Sequence, residues 1–277
     1  MIPRPHWREV QMRDFQVNIN GIEVNAAYTE DNINHIFIPL LRRLTRMQRE
    51  LGKRILVMLA APPGTGKSTL CEYLKVLSEH TEGVKPIQVI GMDGFHRYQE
   101  YLTTHTTMRE GKEILLVQIK GAPVTFDSDL LQERVMQVAQ GENVGWPVYN
   151  RMTHNPTENA ITVTGDIVIL EGNYLLLEEE GWKNLKQYAD YTIRITADEN
   201  HLRERLIERK EKSGATHEEA VAFVEYSDLY NARICLEHTM KADMNLKLNA
   251  DNSYSLETDR EVYSSEPDIP DCGCLYG

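Results

Sequence analysis

The sequence has no apolar run of the ~18–20 residues that a membrane-spanning helix needs. Its first six residues also lack the apolar segment of a secretory signal. Cysteine is scarce, and two of the four cysteines, Cys272 and Cys274, stand in a polar C-terminal segment without the further ligands of a zinc site. These absences argue against a membrane protein and against a secreted disulfide-rich protein, and we expect a cytoplasmic protein.

Positive charge is also in short supply. The 277 residues include 30 Lys and Arg against 42 Asp and Glu, which gives a formal net charge of −12. Because binding to the phosphate backbone of a nucleic acid needs a basic face, this balance argues against a nucleic-acid polymer as the main partner. The length leaves room for one well-buried α/β domain with extensions, or for two small domains.

The N-terminal part predicts a hairpin followed by a helix. Apolar and polar side chains alternate on both sides of Asn20-Gly21, a dipeptide that accepts the positive φ of a type I′ turn. Residues 31–52 carry a helical stripe of apolar side chains, which Pro39 is expected to bend or restart. We interpret residues 1–53 as an appendage that packs on the main domain.

From residue 54 the pattern changes to alternating strands and helices. Short, continuous apolar runs predict parallel strands buried on both faces, and helix-like segments separate them. The predicted strands are 55–59, 87–90, 167–170, 191–195 and 244–248, and the predicted helices are 68–80, 128–140 and 199–212. This order predicts an α/β domain at 54–248 with a parallel sheet and helices on both faces, followed by a polar, acidic tail at 249–277.

A phosphate-binding loop comes directly after the first buried strand. Residues 61–69 read Ala-Pro-Pro-Gly-Thr-Gly-Lys-Ser-Thr and open a helix, as a P-loop does, although Ala61 replaces the usual first glycine. The glycines let successive N–H groups point at phosphate oxygens, and the helix N-terminus favours negative charge. Lys67 would bridge the β- and γ-phosphates, and Ser68 would ligate Mg²⁺. The residues expected to bind the nucleotide are Pro63, Gly64, Thr65, Gly66, Lys67, Ser68 and Thr69.

A second motif places a carboxylate beside that loop. Residues 91–96 follow the second apolar strand directly, so Asp93 lies at the carboxyl end of a strand, where a doubly wound sheet binds ligands. A carboxylate there can accept the proton of an attacking hydroxyl and hold it in line with the γ-phosphorus. The alternative is an Asp-Gly turn without a catalytic role. The motif therefore favours a kinase.

Five motifs in this order resemble those of the uridine kinase, phosphoribulokinase and pantothenate kinase group of P-loop kinases. They are 61–69, 93–96, 120–127, 147–154 and 169–172. The resemblance implies a P-loop NTPase fold, ATP and Mg²⁺ as cofactors, and Asp93 as the catalytic base. It also implies that Glu171 helps to hold Mg²⁺, which suits a hard cation that prefers carboxylate and hydroxyl oxygens. A carboxylate that caps the next turn is the alternative.

The acceptor region combines features of two branches of this group. Tyr149 and His154 occupy places where uridine–cytidine kinases hold an aromatic ring and a histidine against the base. Arg151 replaces a second aromatic residue and Gly121 a ribose-binding aspartate, whereas 120–127 resembles the motif of bacterial pantothenate kinases. Arg151 is expected either to pair with a carboxylate or phosphate of the acceptor or to be a solvated surface residue. The residues expected to bind the acceptor are His96, Asp127, Tyr149, Arg151 and His154.

A charged segment after the fourth strand resembles the lid of related kinases, at about 199–215. Arg205 and Arg209 are spaced i,i+4 and therefore lie on one helix face. In related kinases arginines of the lid clamp the phosphates, and these two fit that catalytic role best. The alternative is an ordinary solvated helix with i,i+4 surface pairs such as Glu199–Arg203.

Asn231 lies in a segment that resembles the region near the nucleotide base in some relatives. Its side chain is expected to pair with the adenine edge of the cofactor, and helix capping is the equal alternative.

These features predict an ATP-dependent phosphotransferase that acts on a hydroxyl of a small metabolite. A nucleoside, a sugar and a pantothenate-like acid all remain as acceptors. One alternative is a nucleotide-binding regulatory NTPase without an acceptor, against which Asp93 argues, because such a protein needs no base for a hydroxyl. Another is a subunit of a nucleotide-fuelled assembly, for which a Walker-B acidic pair is missing. We expect no nucleic-acid polymer and no membrane as partner, and the sequence is compatible with a homodimer.

Overall fold

A computed structural model describes residues 15–19 and 22–259, and twelve strands lie within them. In chain order they are β1 (Phe15–Ile19), β2 (Ile22–Ala26), β3 (Ile55–Ala60), β4 (Gln88–Gly91), β5 (Thr106–Arg109), β6 (Lys112–Leu115), β7 (Val144–Asn150), β8 (Asn155–Val163), β9 (Ile167–Gly172), β10 (Tyr191–Ala197), β11 (Met244–Leu248) and β12 (Tyr254–Asp259). The central sheet has the order β12-β11-β10-β3-β9-β4, and the other strands form three separate hairpins.

Helices connect these strands. In the described part of the chain the α-helices after the first strand pair are α1 (Ile38–Leu51), α2 (Lys67–His80), α3 (Gln99–Thr104), α4 (Ser128–Ala139), α5 (Glu199–Lys212), α6 (His217–Phe223) and α7 (Leu229–Glu237). One helical turn, Glu30–Asn32, and a π-helix, Ile33–Phe37, lead into α1, and a second π-helix, Val224–Asp228, leads into α7. None of the described helices is both long and apolar enough to cross a membrane.

The central sheet is parallel except at β12, and helices cover both of its faces. Alternate side chains of β3 belong to two hydrophobic cores on opposite faces of the sheet. In the first core Ile55, Val57 and Leu59 pack with α1, α2 and α5. In the second core Leu56 and Met58 pack with α4. All five side chains are at most 1% exposed. Because both faces of this strand are buried, its sequence is a continuous run of apolar residues. The predicted parallel sheet with helices on both faces is confirmed.

The N-terminal hairpin and helix pack on the first of these cores. Strands β1 and β2 pair antiparallel as predicted, and the turn residues 20–21 lie outside the described residues. The Phe15 ring meets the Tyr73 ring of α2 edge-on, with 5.2 Å between the ring centres. Pro39 is the second residue of α1, and the π-helix directly precedes it. The helix is thus irregular where Pro39 has no N–H to donate.

The edge strand β12 falls within 249–277, the segment predicted to be a polar, acidic tail. It pairs antiparallel with β11, and Tyr254 is its only buried residue. Such a strand carries no apolar run, and for this reason the sequence patterns missed it. Asn32 ties the strand to the N-terminal helical segment: its Nδ2 donates to the Tyr254 carbonyl oxygen (2.7 Å) and its Oδ1 accepts from the Tyr254 N–H (2.8 Å). Arg43 of α1 also binds Asp259.

Replacing Asn32 should therefore destabilise the protein. Asn32 is 2% exposed, and Asn32→Ala would leave two buried backbone groups of Tyr254 without partners, at a cost of about 1–3 kcal/mol for each such group. Urea denaturation measures the loss as a lower midpoint. Asn34→Ala, at an exposed position of the same helical segment, is the control. Equal midpoints for the two variants would contradict the inference that Asn32 stabilises the edge strand β12.

Candidate active site

The loop after β3 has the backbone geometry of a phosphate cradle. Gly64 and Gly66 both adopt a positive φ, at 89° and 79°, which residues with side chains rarely do. A Cβ on Gly64 would also come within 3.0 Å of the Leu206 side chain on α5. Helix α2 begins at Lys67, directly after Gly66. Its N-terminal N–H groups therefore lie at the loop, where they and the helix dipole favour a bound phosphate.

Two carboxylates lie at the carboxyl ends of the neighbouring strands. Strand β9 lies between β3 and β4, and its register places Glu171 opposite Gly91 at the end of β4. Asp93 follows two residues later, in a 3₁₀ turn. The Ser68 hydroxyl donates a 2.7 Å hydrogen bond to Glu171 Oε1. Burial raises the pKa of Glu171, and the positive charge of Lys67 opposes this rise in part.

The oxygen atoms at this point suit a magnesium ion bound to a nucleotide. Ser68 supplies a hydroxyl and Glu171 a carboxylate, and both are hard oxygen donors. Among the described residues, no group of three or more His, Cys, Asp or Glu side chains forms a metal site by itself. Mg²⁺ usually binds through one or two carboxylates together with substrate phosphates. The donor set therefore fits the ion as a companion of a bound nucleotide.

A cavity of about 680 Å³, called here the nucleotide-side cavity, opens beside the loop. Its volume lies within the roughly 300–1,000 Å³ of small-molecule sites. The loop contributes Gly64, Gly66 and Lys67 to its wall, α5 contributes Arg205, and β2 contributes Asn25. Arg205 Nε donates a 2.6 Å hydrogen bond to the Gly64 carbonyl oxygen. The N-terminal hairpin thus forms part of this cavity, which the sequence patterns did not indicate.

A second cavity of about 310 Å³, called here the acceptor-side cavity, contains the predicted base. Asp93, His96, Lys120, Tyr149 and Arg151 line it. The centres of the His96 and Tyr149 rings are 5.0 Å apart, and the Lys120 ammonium lies 5.0 Å from the centre of the Tyr149 ring. The structure therefore brings three of the predicted acceptor residues, His96, Tyr149 and Arg151, together with Asp93.

The hydrogen bond of His96 fixes which of its nitrogens can bind a hydroxyl. Nδ1 lies 2.9 Å from the backbone oxygen of Asp93. Because a carbonyl oxygen only accepts hydrogen bonds, Nδ1 carries the proton and Nε2 is the unprotonated nitrogen. Burial lowers the pKa of His96, which favours this neutral form. The imidazole can therefore accept a hydrogen bond from a hydroxyl in the cavity.

Two other predicted acceptor residues lie elsewhere. Asp127 is the N-cap of α4, where its Oδ1 accepts from the Leu130 N–H at 3.2 Å. His154 is exposed at the end of the β7–β8 hairpin with φ of 55°, and its backbone oxygen accepts from Lys120 at 2.9 Å. Neither side chain lines either of the two cavities. Their contact with an acceptor stays a prediction.

Asn231 lies in the acceptor-side cavity. Its side chain is 3% exposed and lines that cavity, and its contact with adenine stays a prediction. Lys120, Lys210 and Asp228 line the same cavity, although no role was predicted for them. For Lys120 a signal was present, since it opens the motif at 120–127. Asp228 also had a signal, since it opens the segment that carries Asn231, whereas Lys210 lies in the charged segment predicted as a lid.

Helix α5, the predicted lid, is anchored in the core. Its Leu202 and Leu206 side chains are fully buried beneath the helix. Arg209 points away from that core, with one guanidinium nitrogen 3.4 Å from Asp228 Oδ2. Burial raises the pKa of Asp228, and the charge of Arg209 opposes this rise. Arg205 and Arg209 both line the nucleotide-side cavity, as their predicted role requires.

Of the i,i+4 surface pairs expected within α5, Glu208–Lys212 forms (2.6 Å) and Glu199–Arg203 does not. Glu199 instead pairs with Arg233 of α7 at 2.7 Å, and Arg203 pairs with Glu225 at 2.5 Å. Both partners come from the helical segment that packs beside α5, and a spacing rule within one helix cannot take such partners into account.

Comparison with known proteins assigns the chain to a family. It matches the Phosphoribulokinase / Uridine kinase family over residues 56–254. It is 38% identical over 240 residues to "Uncharacterized protein YggC" of Escherichia coli (strain K12), which covers 86% of this chain and 97% of that protein. It is 28% identical over 263 residues to a pantothenate kinase of Vibrio cholerae serotype O1, with coverage of 83% and 81%.

A solved structure supports the same assignment. The crystal structure of a "putative fructose transport system kinase" from Silicibacter sp. TM1040 superposes with a TM-score of 0.62 and 32% identity, covering 73% of this chain and 98% of that one. The fold and site thus define a P-loop kinase of the kind that phosphorylates small metabolites. The chain belongs to the Phosphoribulokinase / Uridine kinase family, and the resemblance drawn from its motifs is confirmed.

Neutralising Glu171 should stabilise the empty protein. Burial penalises the charged carboxylate and not an amide, so Glu171→Gln should raise Tm by a few degrees near neutral pH without nucleotide or Mg²⁺. Because the pKa of Glu171 is raised in the folded wild type, the free-energy penalty for its buried charge grows as pH rises above the ordinary carboxyl pKa. The gain should therefore vanish at mildly acidic pH.

Thermal unfolding over this pH range measures the effect. Glu79→Gln, at an exposed position near the end of α2, controls for the loss of one negative charge and should leave Tm nearly unchanged. A Glu171→Gln protein that is less stable than the wild type at neutral pH would show that the carboxylate is held by favourable contacts rather than penalised.

Proposed function

We propose that the protein is an ATP-dependent kinase that transfers the γ-phosphoryl group of ATP to a hydroxyl of a small metabolite. One observation carries this proposal: Lys67 and Arg209 line both the nucleotide-side and the acceptor-side cavity, so the two cavities meet at the phosphate loop. Asp93 belongs to the acceptor side of that junction. A regulatory NTPase without an acceptor needs no second cavity with a carboxylate in this place.

The chemistry follows from the positions of these groups. The acceptor hydroxyl attacks the γ-phosphorus and transfers its proton to the Asp93 carboxylate, while the bond between the γ-phosphorus and the bridging oxygen of ADP breaks. Lys67 and Arg209 would stabilise the charge that develops on the phosphoryl oxygens. Ser68 and Glu171 would hold Mg²⁺, which neutralises charge on the β- and γ-phosphates when it is bound.

The acceptor-side cavity favours a small, polar acceptor. Its volume of about 310 Å³ is at the lower end of the range for small-molecule sites. His96 and Asn231 offer polar contacts, and Tyr149 offers an aromatic face. The names of the relatives suggest a sugar, a nucleoside and pantothenate as acceptors to test.

A panel of acceptors tests the proposal directly. The protein should form ADP from ATP and Mg²⁺ faster with one class among pentoses, hexoses, nucleosides and pantothenate than without an acceptor. Mass spectrometry should then find a phosphomonoester in equal amount. ADP formed at the same rate whether or not any acceptor is present would instead favour the regulatory NTPase.

The phosphate loop supplies a matched pair of variants for this assay. Lys67→Ala should lower the rate at least roughly 10²–10³-fold, because it removes a cation that stabilises the transition state. Lys75→Ala, on the same helix α2 but in a half-exposed pair with Glu72, should leave the rate and Tm unchanged. Turnover near the wild-type level in Lys67→Ala would argue against the assignment of the loop.

Asp93→Asn should separate proton transfer from nucleotide binding. The amide keeps the shape of the side chain and cannot accept the proton, so kcat should fall roughly 10²–10⁴-fold. The affinity for Mg²⁺ and ATP, measured by calorimetry, should change little. If binding collapses while kcat survives, Asp93 is a ligand of the metal and not the base.

A further inference from the structure

Arg151 occupies the tip of the β7–β8 hairpin, between the last residue of one strand and the first of the next. The tip is ordered by Asn150, whose Oδ1 accepts from the Met152 N–H at 2.9 Å and from the Thr153 N–H at 3.2 Å. Met152 is 91% exposed. Arg151 is exposed as well, but unlike Met152 it lines both cavities.

The residues that line both cavities define the junction between nucleotide and acceptor. They are Lys67, Arg151, Arg209 and Ser213. Three of the four are cations, and these three come from separate elements: the phosphate loop, the hairpin tip and α5. A phosphoryl group that passes from a nucleotide in one cavity to an acceptor in the other must cross this junction, because it is where the two walls meet.

The charge of Arg151 has no counter-ion in the part of the chain that the structure describes. Its guanidinium makes no hydrogen bond or ion pair with any described residue, whereas Arg205 binds the Gly64 carbonyl oxygen and Arg209 lies beside Asp228. Burial lowers the pKa of Lys210 in the acceptor-side cavity, and the positive charges of Arg209 and Arg151 lower it further. The junction therefore has an excess of positive charge, which an entering anion would balance.

We propose that Arg151 binds the γ-phosphoryl group during its transfer, so that it is a catalytic residue and not a ligand of the acceptor. This inference rests on the proposed kinase function. The two parallel donors of a guanidinium match two oxygens of a phosphoryl group. An arginine in this role stabilises the charge on those oxygens while the bond to ADP breaks, the bond to the acceptor oxygen forms and the proton goes to Asp93.

Binding without any acceptor tests this role. Calorimetry would compare Mg²⁺ with the β,γ-imido analogue of ATP, which carries a γ-phosphoryl group, and Mg²⁺ with ADP, which does not. Arg151→Ala should weaken binding of the analogue roughly 10–100-fold, as expected for hydrogen bonds to a charged group. The affinity for ADP should stay within about twofold, because ADP lacks the phosphoryl group to which the guanidinium would donate its parallel hydrogen bonds.

Two controls keep the comparison specific. Met152→Ala alters the same hairpin tip at a solvent-facing side chain, and Arg46→Ala removes a positive charge from an exposed position of α1. Both should keep the wild-type ratio of the two affinities. Arg151→Lys should recover part of the loss, because a point charge replaces the fork. With the acceptor found by the panel, Arg151→Ala should lower kcat and leave the acceptor KM nearly unchanged.

Each contrary outcome has a distinct meaning. A wild-type protein that binds both nucleotides, with an affinity ratio that Arg151→Ala does not change, would overturn this inference and leave the kinase proposal intact. A large rise in the acceptor KM with unchanged kcat would likewise overturn it, since the arginine would then bind an anionic group of the acceptor. A wild-type protein that binds neither nucleotide would overturn the kinase proposal and this inference together.

Discussion

The site depends on one constraint: β3, β9 and β4 lie side by side and run in the same direction. Because the carboxyl ends of parallel strands meet at one edge of a sheet, whatever follows these strands in sequence is brought together there. The phosphate loop follows β3, Asp93 follows β4, and Glu171 lies near the end of β9, opposite Gly91. A phosphate cradle and two carboxylates thus converge from three distant parts of the chain.

This convergence gathers charged groups that suit a bound phosphate and its cation. Lys67, Arg151 and Arg209 concentrate positive charge at one junction of a chain whose net charge is −12. Beside them, burial raises the pKa of Glu171. Phosphate oxygens and a divalent cation would balance both kinds of charge at once. A site of this kind exchanges some stability of the unliganded fold for affinity and catalysis, as is common in enzymes.

Local patterns predicted the strands of the sheet and the phosphate loop because each of these features depends on residues within a short stretch of sequence. A strand buried on both faces is a continuous apolar run, and a phosphate cradle needs glycines at fixed positions. The missed features depend on partners far along the chain. Asn32 holds the strand β12 through hydrogen bonds, and Glu199 pairs with Arg233 instead of Arg203. The packing of α7 places Asn231 in the wall of the acceptor-side cavity. No spacing rule within one element contains that information.

The β7–β8 hairpin is held against the turn that carries Asp93. A Cβ on Gly94 would lie 2.0 Å from the Pro147 carbonyl oxygen, so this contact requires glycine, and Trp146 Nε1 donates to the Gly91 carbonyl oxygen at 2.9 Å. The base of the hairpin is therefore positioned by the same few residues that position Asp93, while its tip carries Arg151 to the junction. The proton acceptance proposed for Asp93 and the phosphoryl binding proposed for Arg151 would therefore depend on one structural support, and the nucleotide side has another in the phosphate loop and α5. Changes in the remaining lining of the acceptor-side cavity would then alter the choice of acceptor without disturbing the proposed transfer.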